Sequence, residues 1–475
     1  MGRHFIALLT LLLGSCALGP THPAQPPPVE PADVGLGETA TPPIAAQWWQ
    51  GFGDSQLDGL IERGLRDNPS LAEALARLNR AQSEATVAGS TLRPQAGVTA
   101  DEARERLSAR SFYPLPYGGG TFWNGTAEAA VRWNLDFWGR QRDRIEAAEQ
   151  GVRVRGIEVR AARLAIEVSL ASQYLELDRD HALLDLAKDT SEARARLLAL
   201  VQSRVRAGLD TAIEERAALA GLADMRVEAR EAAARVQITV HRIAALSGQG
   251  ASGYAAIGRP QLRLDPQLAL PLALPGDLLL RRGDVGSALA RVQALTALEH
   301  AASRAAYPQI NLRAFAGFDA FGLADLLSAP ARTLGAGVNT ALPIFDAGRL
   351  RGELHGAGAD VDLAIAAYHA TVLTAVREAA DQLAILAATL LEVDDARARV
   401  EIVDGAHRLA VARRDAGLTG EVAVLEARLR LLAARRVLVT LQCSAATARV
   451  ALIAALGGSP LDPPTPVLIV SRGTT

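Results

Sequence analysis

The sequence predicts an α+β fold made of two copies of one unit, in which a pair of amphipathic strands feeds a very long helical hairpin. Three observations carry this. Residues 131–140 and 338–349 echo each other, each passing from alternating apolar and polar positions into an aromatic, a glycine and an arginine that open an Ala-rich run. Next, Gly139 and Gly348, Gly208 and Gly417, and Gly248 and Gly457 are each 209 residues apart, one register held by three landmarks, as an internal duplication requires. Finally, hydrophobic residues make up 49% of the chain but aromatics only 4%. An apolar surface of Ala, Leu and Val suits helices packed closely along their length better than a thick globular core.

The first 15 residues read as a signal peptide: Arg3 and His4, a short apolar run from Phe5 to Leu13, then small residues, too short to span a bilayer permanently. Leu13-Gly14-Ser15-Cys16 has the form of a lipobox, so Cys16 is expected to carry a diacylglycerol and an acyl chain as the mature N-terminus. Residues 16–47 are rich in proline and are expected to be an extended tether. Cys443 then has no partner in the mature chain, and no disulfide is expected.

Residues 48–250 form the expected first repeat. Asp54 or Ser55 can cap a helix beginning near Gln56, and Asn68 or Ser70 can re-cap it beside Pro69. Pro94 ends it, and a weak strand covers Ala96, Val98 and Ala100. The strongest strand follows: Ala127, Ala129, Val131, Trp133 and Leu135 lie on one parity, Glu128, Arg132, Asn134 and Asp136 on the other. Helix over 140–206 would be about 100 Å long; Gly208 ends it and a return helix reaches Leu246. A linker, 251–275, separates the second repeat, 276–460, from the first; residues 461–475 are a tail. In the second repeat the pattern predicts helix over 276–305, a strand alternating through Ile310, Leu312, Ala314 and Ala316, and another through Leu334, Ala336, Val338 and Thr340. Helix then runs to Asp415, and a last helix carries a 4,3 apolar spacing from Leu418 to Ile453, with Cys443 in the seam.

Four amphipathic strands cannot close a barrel, and open strand edges cannot exist in lipid. Two chains would give eight strands and a plugged barrel, whereas three would give twelve strands with room for water. A chain that conducts anything large would therefore be a trimer.

Several motifs together then resemble one family. They are the lipobox, Trp48-Trp49 with Phe52-Gly53-Asp54 and Leu57, Asn68-Pro69-Ser70-Leu71, Leu135-Asp136-Phe137-Trp138-Gly139-Arg140, and Leu342-Pro343-Ile344-Phe345-Asp346-Ala347-Gly348-Arg349. In this order they resemble the TolC-like outer membrane efflux proteins, specifically the NodT-type lipoproteins of RND efflux systems. The resemblance implies a homotrimer with a 12-stranded barrel continued by a 12-helix periplasmic α-barrel, docked to a periplasmic adaptor and an inner membrane RND transporter that exports small molecules. The channel of a type I secretion system is the alternative use. One departure is Arg282-Gly283, where the family often has Arg-Pro, which implies a less firmly fixed helix start.

The sites to watch are the two hairpin turns around Gly208 and Gly417, where acidic side chains of three copies could form rings. By similarity Glu426 matches an aspartate lining the family's closed aperture, Ala423 replaces a second one, and Glu214 is expected to latch onto Arg414. Nothing resembles an enzyme: the histidines beyond the tether, His181, His241, His300, His355, His369 and His407, are isolated, and no H-E-x-x-H, G-x-S-x-G or phosphate-cradling loop is present. No cofactor or metal is expected beyond the lipid on Cys16. A net charge of −2 gives no reason to expect nucleic acid.

Overall fold

The computed structural model describes residues 44–110, 112–264 and 282–458. The signal peptide, Cys16 with its lipid, most of the tether, the later part of the linker and the C-terminal tail lie outside the described residues.

In chain order the elements are α1 (Ser55–Asp67), α2 (Pro69–Ser90), β1 (Gln95–Arg106), β2 (Thr121–Leu135), α3 (Arg140–Arg206), α4 (Ala212–Leu246), α5 (Gly283–Ser303), β3 (Gln309–Phe321), β4 (Arg332–Ala341), α6 (Arg349–Asp415) and α7 (Glu421–Ala455). Helices α3 and α6 both have 67 residues, and α4 and α7 both have 35. The six glycine landmarks all have positive φ, between 72° and 89°, the left-handed conformation that ends a helix or turns a strand into one. The chain divides into two compact units, each drawing segments from both halves.

One unit holds the sheet. Its strands form an antiparallel meander in the order β1-β2-β3-β4. Register puts Ala96, Val98 and Ala100 on the same face as Ala127, Ala129, Val131, Trp133 and Leu135, with Ala316, Ala314, Leu312 and Ile310, then Leu334, Ala336 and Val338. This face is apolar and mostly of small side chains along these rows, and at its far end it carries Glu102, Arg104 and Arg106 of β1 and Arg332 of β4. Strand β1 extends to Arg106, well beyond the Ala96–Ala100 alternation that sequence identified, because pairing with β2 carries the charged Asp101 to Arg106 stretch that local propensity disfavours. At the end of the sheet nearest α2, Trp133 donates its indole N–H to the Leu92 carbonyl at 2.9 Å. Both strand-to-helix junctions are capped by an aspartate. Asp136 accepts from the amides of Gln141 and Arg142, and Asp346 from those of Gly348 and Leu350.

The other unit is helical and contains the main core. Trp48, Phe52, Leu57, Leu60 and Ile61 pack with Ile166, Leu170 and Tyr174 of α3 and with Cys443, Val450 and Ile453 of α7. The Trp48 to Leu57 motif is thus a clamp. Asp54 caps α1 through the Gln56 amide at 2.9 Å, while its other oxygen accepts from the Tyr174 hydroxyl at 2.8 Å and the Gln261 amide at 2.7 Å. Asn68 re-caps α2 through the Ser70 amide and donates to the Leu246 carbonyl. The heptad seam of α7 is buried at Leu425, Leu432, Cys443, Ala446, Val450 and Ile453, but Leu418 is exposed and Arg436 leaves the seam to pair with Glu228. The start of α5 is firmer than the missing proline suggests. Arg282 donates to the Ala455 carbonyl at 3.0 Å and pairs with Asp284 at 2.7 Å and Glu378 at 2.8 Å, doing with hydrogen bonds what a proline would do with a fixed φ.

Candidate functional site

The first hairpin turn is held by its own side chains. Its left-handed Gly208 lets the Leu209 amide reach back to the Arg204 carbonyl at 2.9 Å. Across the turn Arg204 grips Asp210 with two bonds, at 2.8 and 2.9 Å, and this holds the Asp210 carboxyl below its ordinary range. Thr211 and Glu214 then form a capping box at the start of α4, with the Thr211 amide donating to Glu214 at 2.9 Å. That capping lowers the Glu214 carboxyl too, chiefly through the Thr211 hydroxyl.

The second turn uses fewer fastenings. Gly417 repeats the backbone geometry, the Leu418 amide meeting the Arg413 carbonyl at 2.8 Å. Arg414 binds Asp415 at 2.7 Å and Glu421 at 3.0 Å. The residue before α7 is Gly420, which offers no side-chain cap.

The expected latch between Glu214 and Arg414 is corrected by this geometry: within the chain it does not form. Glu214 is engaged in its own capping box and Arg414 with acids of its own turn, and short local bonds outcompete a long reach between hairpins. Glu426 is exposed on α7 with Arg430 one turn on at 3.7 Å. Sequence reasoning did not single out Asp210, Asp415 or Glu421, the acids that bind the turn arginines. The Arg204 to Asp210 spacing of six across a glycine was the available signal.

The second feature is the polar face of the sheet, which register resolves into rows. From the end nearest the long helices, Asn134, Asn311 and Asn339 lie side by side. The next row is Gln95, Arg132, Arg313 and Gly337; then Gly97, Ala130, Phe315 and Gly335; then Thr99, Glu128, Gly317 and Thr333; then Asp101, Thr126 and Asp319. At the far end Phe122 and Phe321 gather with Tyr117, ring centroids 5.5 to 5.8 Å apart. Side-chain contacts agree with the parity: Arg313 pairs with Glu128 and lies 4.9 Å from the Phe315 ring centre, whereas Arg104 stacks on Trp123 on the opposite face. Among the described residues, no cluster of three or more His, Cys, Asp or Glu is placed to hold a metal.

A sheet with a largely apolar and a polar face, its two edges unpaired among the described residues, and a long helical hairpin following each pair of strands along the chain fit a membrane channel component. The known proteins agree. The sequence pattern of the family described as outer membrane efflux protein matches residues 60–249 and 274–458. The multidrug resistance outer membrane protein MdtP of Escherichia coli is 30% identical over 470 residues, 94% of each chain. The fusaric acid resistance protein FusA of Burkholderia cepacia is 35% identical over 322 residues, covering 67% of this chain and 60% of that protein. The solved structure of the outer membrane protein VceC of Vibrio cholerae superposes with a TM-score of 0.79 at 32% identity, over 88% of this chain and 99% of that one. The chain belongs to the outer membrane efflux protein family, and it is an efflux channel component of the outer membrane.

Proposed function

We propose that three copies close their sheets into one 12-stranded barrel, polar face inward, continued by twelve helices of the hairpins as a periplasmic tunnel. The observation that carries this is the sheet: its apolar face suits lipid, yet among the described residues β1 and β4 each have an unpaired edge, which hydrocarbon does not tolerate. Pairing β4 of one copy with β1 of the next removes every edge. An exposed apolar row on α6, Leu373, Leu391, Ile402 and Leu409, supports the same assembly. Those residues are spaced by 18, 11 and 7 positions, all whole numbers of turns to within about 20°, so they share one face.

The conduit exports small molecules delivered through a periplasmic adaptor by an inner membrane RND transporter, and Cys16, acylated, anchors the tether in the membrane. FusA and MdtP, named for resistance to fusaric acid and to multiple drugs, support small exported compounds. At the turns, three copies of Glu426, Glu214 and Arg414 would set the charge of the aperture, with Gly208 and Gly417 fixing the hairpin tips. Native mass spectrometry of detergent-extracted protein tests the assembly: a species of about three times the 50.0 kDa chain is expected, and a monomer overturns it. Single-channel conductance tests the aperture: Glu426→Ala and Arg414→Ala should alter conductance or cation preference, and two unchanged channels would remove these residues from it.

A further inference from the structure

Two rows of the polar face combine into a site that the export role alone does not require. Arg132 and Arg313 face each other directly across β2 and β3, a like-charge pairing that destabilises a sheet unless something offsets it. Both strands are interior to the sheet, so neither arginine sits at the seam where a neighbouring copy would join. Glu128 answers Arg313 alone. The row beside the arginines has almost no side chains: Gly97, Ala130 and Gly335 flank one aromatic ring, Phe315. That ring lies over Gly335, where a Cβ would sit 2.6 Å from it, while a Cβ at Gly97 or Gly337 would meet nothing within 4 Å. The small side chains leave a shallow recess between the two guanidinium groups and one aromatic ring, Phe315, which covers Gly335 and whose centre the Arg313 guanidinium already approaches at 4.9 Å.

We propose that this recess binds an aromatic carboxylate in transit, its carboxylate on Arg132 and Arg313 and its ring against Phe315. Resting on the trimeric channel proposed above, it becomes a collar of six arginines near the periplasmic end of the barrel. Beyond the collar the face turns acidic, through Glu128, then Asp101 and Asp319, then Glu105. An outgoing anion is therefore gathered at the base by guanidinium groups suited to planar carboxylates and meets no second cationic row among these strands.

The test is the reversal potential of the full-length protein in planar bilayers under a gradient of potassium benzoate, with potassium acetate as the comparison. The R132Q/R313Q double variant should lose anion permeability relative to potassium severalfold while still conducting, more for benzoate than for acetate. Glu128→Gln, which releases Arg313, should shift selectivity toward anions, and Phe315→Leu should erase only the preference for benzoate over acetate. A conducting double variant with unchanged selectivity overturns the collar and leaves the channel standing. Wild-type protein that conducts no ion overturns the channel, and the collar with it.

Discussion

The two long helices are equal in length and occupy the same place in their repeats, yet they meet solvent differently. Among the described residues α3 leaves no large apolar side chain exposed, whereas α6 exposes Leu363, Leu373, Ile385, Leu390, Leu391, Ile402 and Leu409. Helix α3 is covered within its own chain: the Trp48 clamp, α4 and α7 share its core. The duplicated backbone is therefore used unequally: α6 also joins that core, through Ala379 and Leu386, but keeps an exposed apolar row that the proposed assembly would bury.

The sharpest way to break this contrast is to charge the α6 row. Leu391→Glu with Ile402→Glu places charges where the proposed assembly is dry, and unpaired buried charge is among the costliest changes a protein can suffer. The expected outcome is loss of the trimer by native mass spectrometry with helical content by circular dichroism preserved. A comparable lesion in α3, Leu170→Ala, removes a fully buried side chain and should instead lower the thermal stability of each chain, by roughly 3 kcal/mol. If the α6 variant also unfolds, or still forms trimers, the division of labour between the two helices is wrong.

A second test sharpens the α3 side. Glu167 is buried beside Trp48, with Arg163 at 3.5 Å, and burial pushes its carboxyl up to about 7. Between the ordinary glutamate range and that value the folded chain keeps a proton that the unfolded chain has released. Stability should therefore fall as pH rises from about 4.5 to about 7 and level off above it, with an upper limit of roughly 3 kcal/mol from this group. Glu167→Gln should flatten the slope and raise the melting temperature at pH 8. An unchanged slope in the variant would assign the pH dependence elsewhere.

Much of this was legible in the sequence, for reasons that differ by region. The β2 alternation, the glycine register and the ends of α3 and α6 are local signals, and each is set by a period or by a residue that only one backbone conformation suits. The extent of β1 was not legible beyond Ala100, because Asp101 to Arg106 join the sheet through their partners on β2. The start of α5 was misjudged for a similar reason: Arg282 makes its decisive bonds with Ala455 and Glu378, both far along the chain. At the candidate site the left-handed glycines were plain, but the actual partners of Glu214 and Arg414 were not. Which acid an arginine chooses depends on distances of a few ångströms that spacing does not fix.

The two turns extend the same comparison at its smallest scale. Counted along the repeat, Asp210, Thr211 and Glu214 of the first turn fall at Thr419, Gly420 and Ala423 of the second, so both halves of the capping box and the counterpart of the Arg204–Asp210 bridge are missing there, and Arg414 reaches Glu421 across the turn instead. Gly420 has φ −91° and ψ 168°, an extended conformation open to any residue, and a Cβ there would meet nothing within 4 Å. Gly420→Asp should thus supply the absent N-cap without strain, while Thr211→Ala should remove the existing one, each shifting local opening by about 1 kcal/mol. Hydrogen exchange reads this as about fivefold slower exchange at Val422 and Ala423 in the first variant and about fivefold faster exchange at Ile213 and Glu214 in the second. Should the wild-type turns already exchange at equal rates, the side-chain fastenings of the first turn contribute nothing beyond the backbone geometry that both glycines provide.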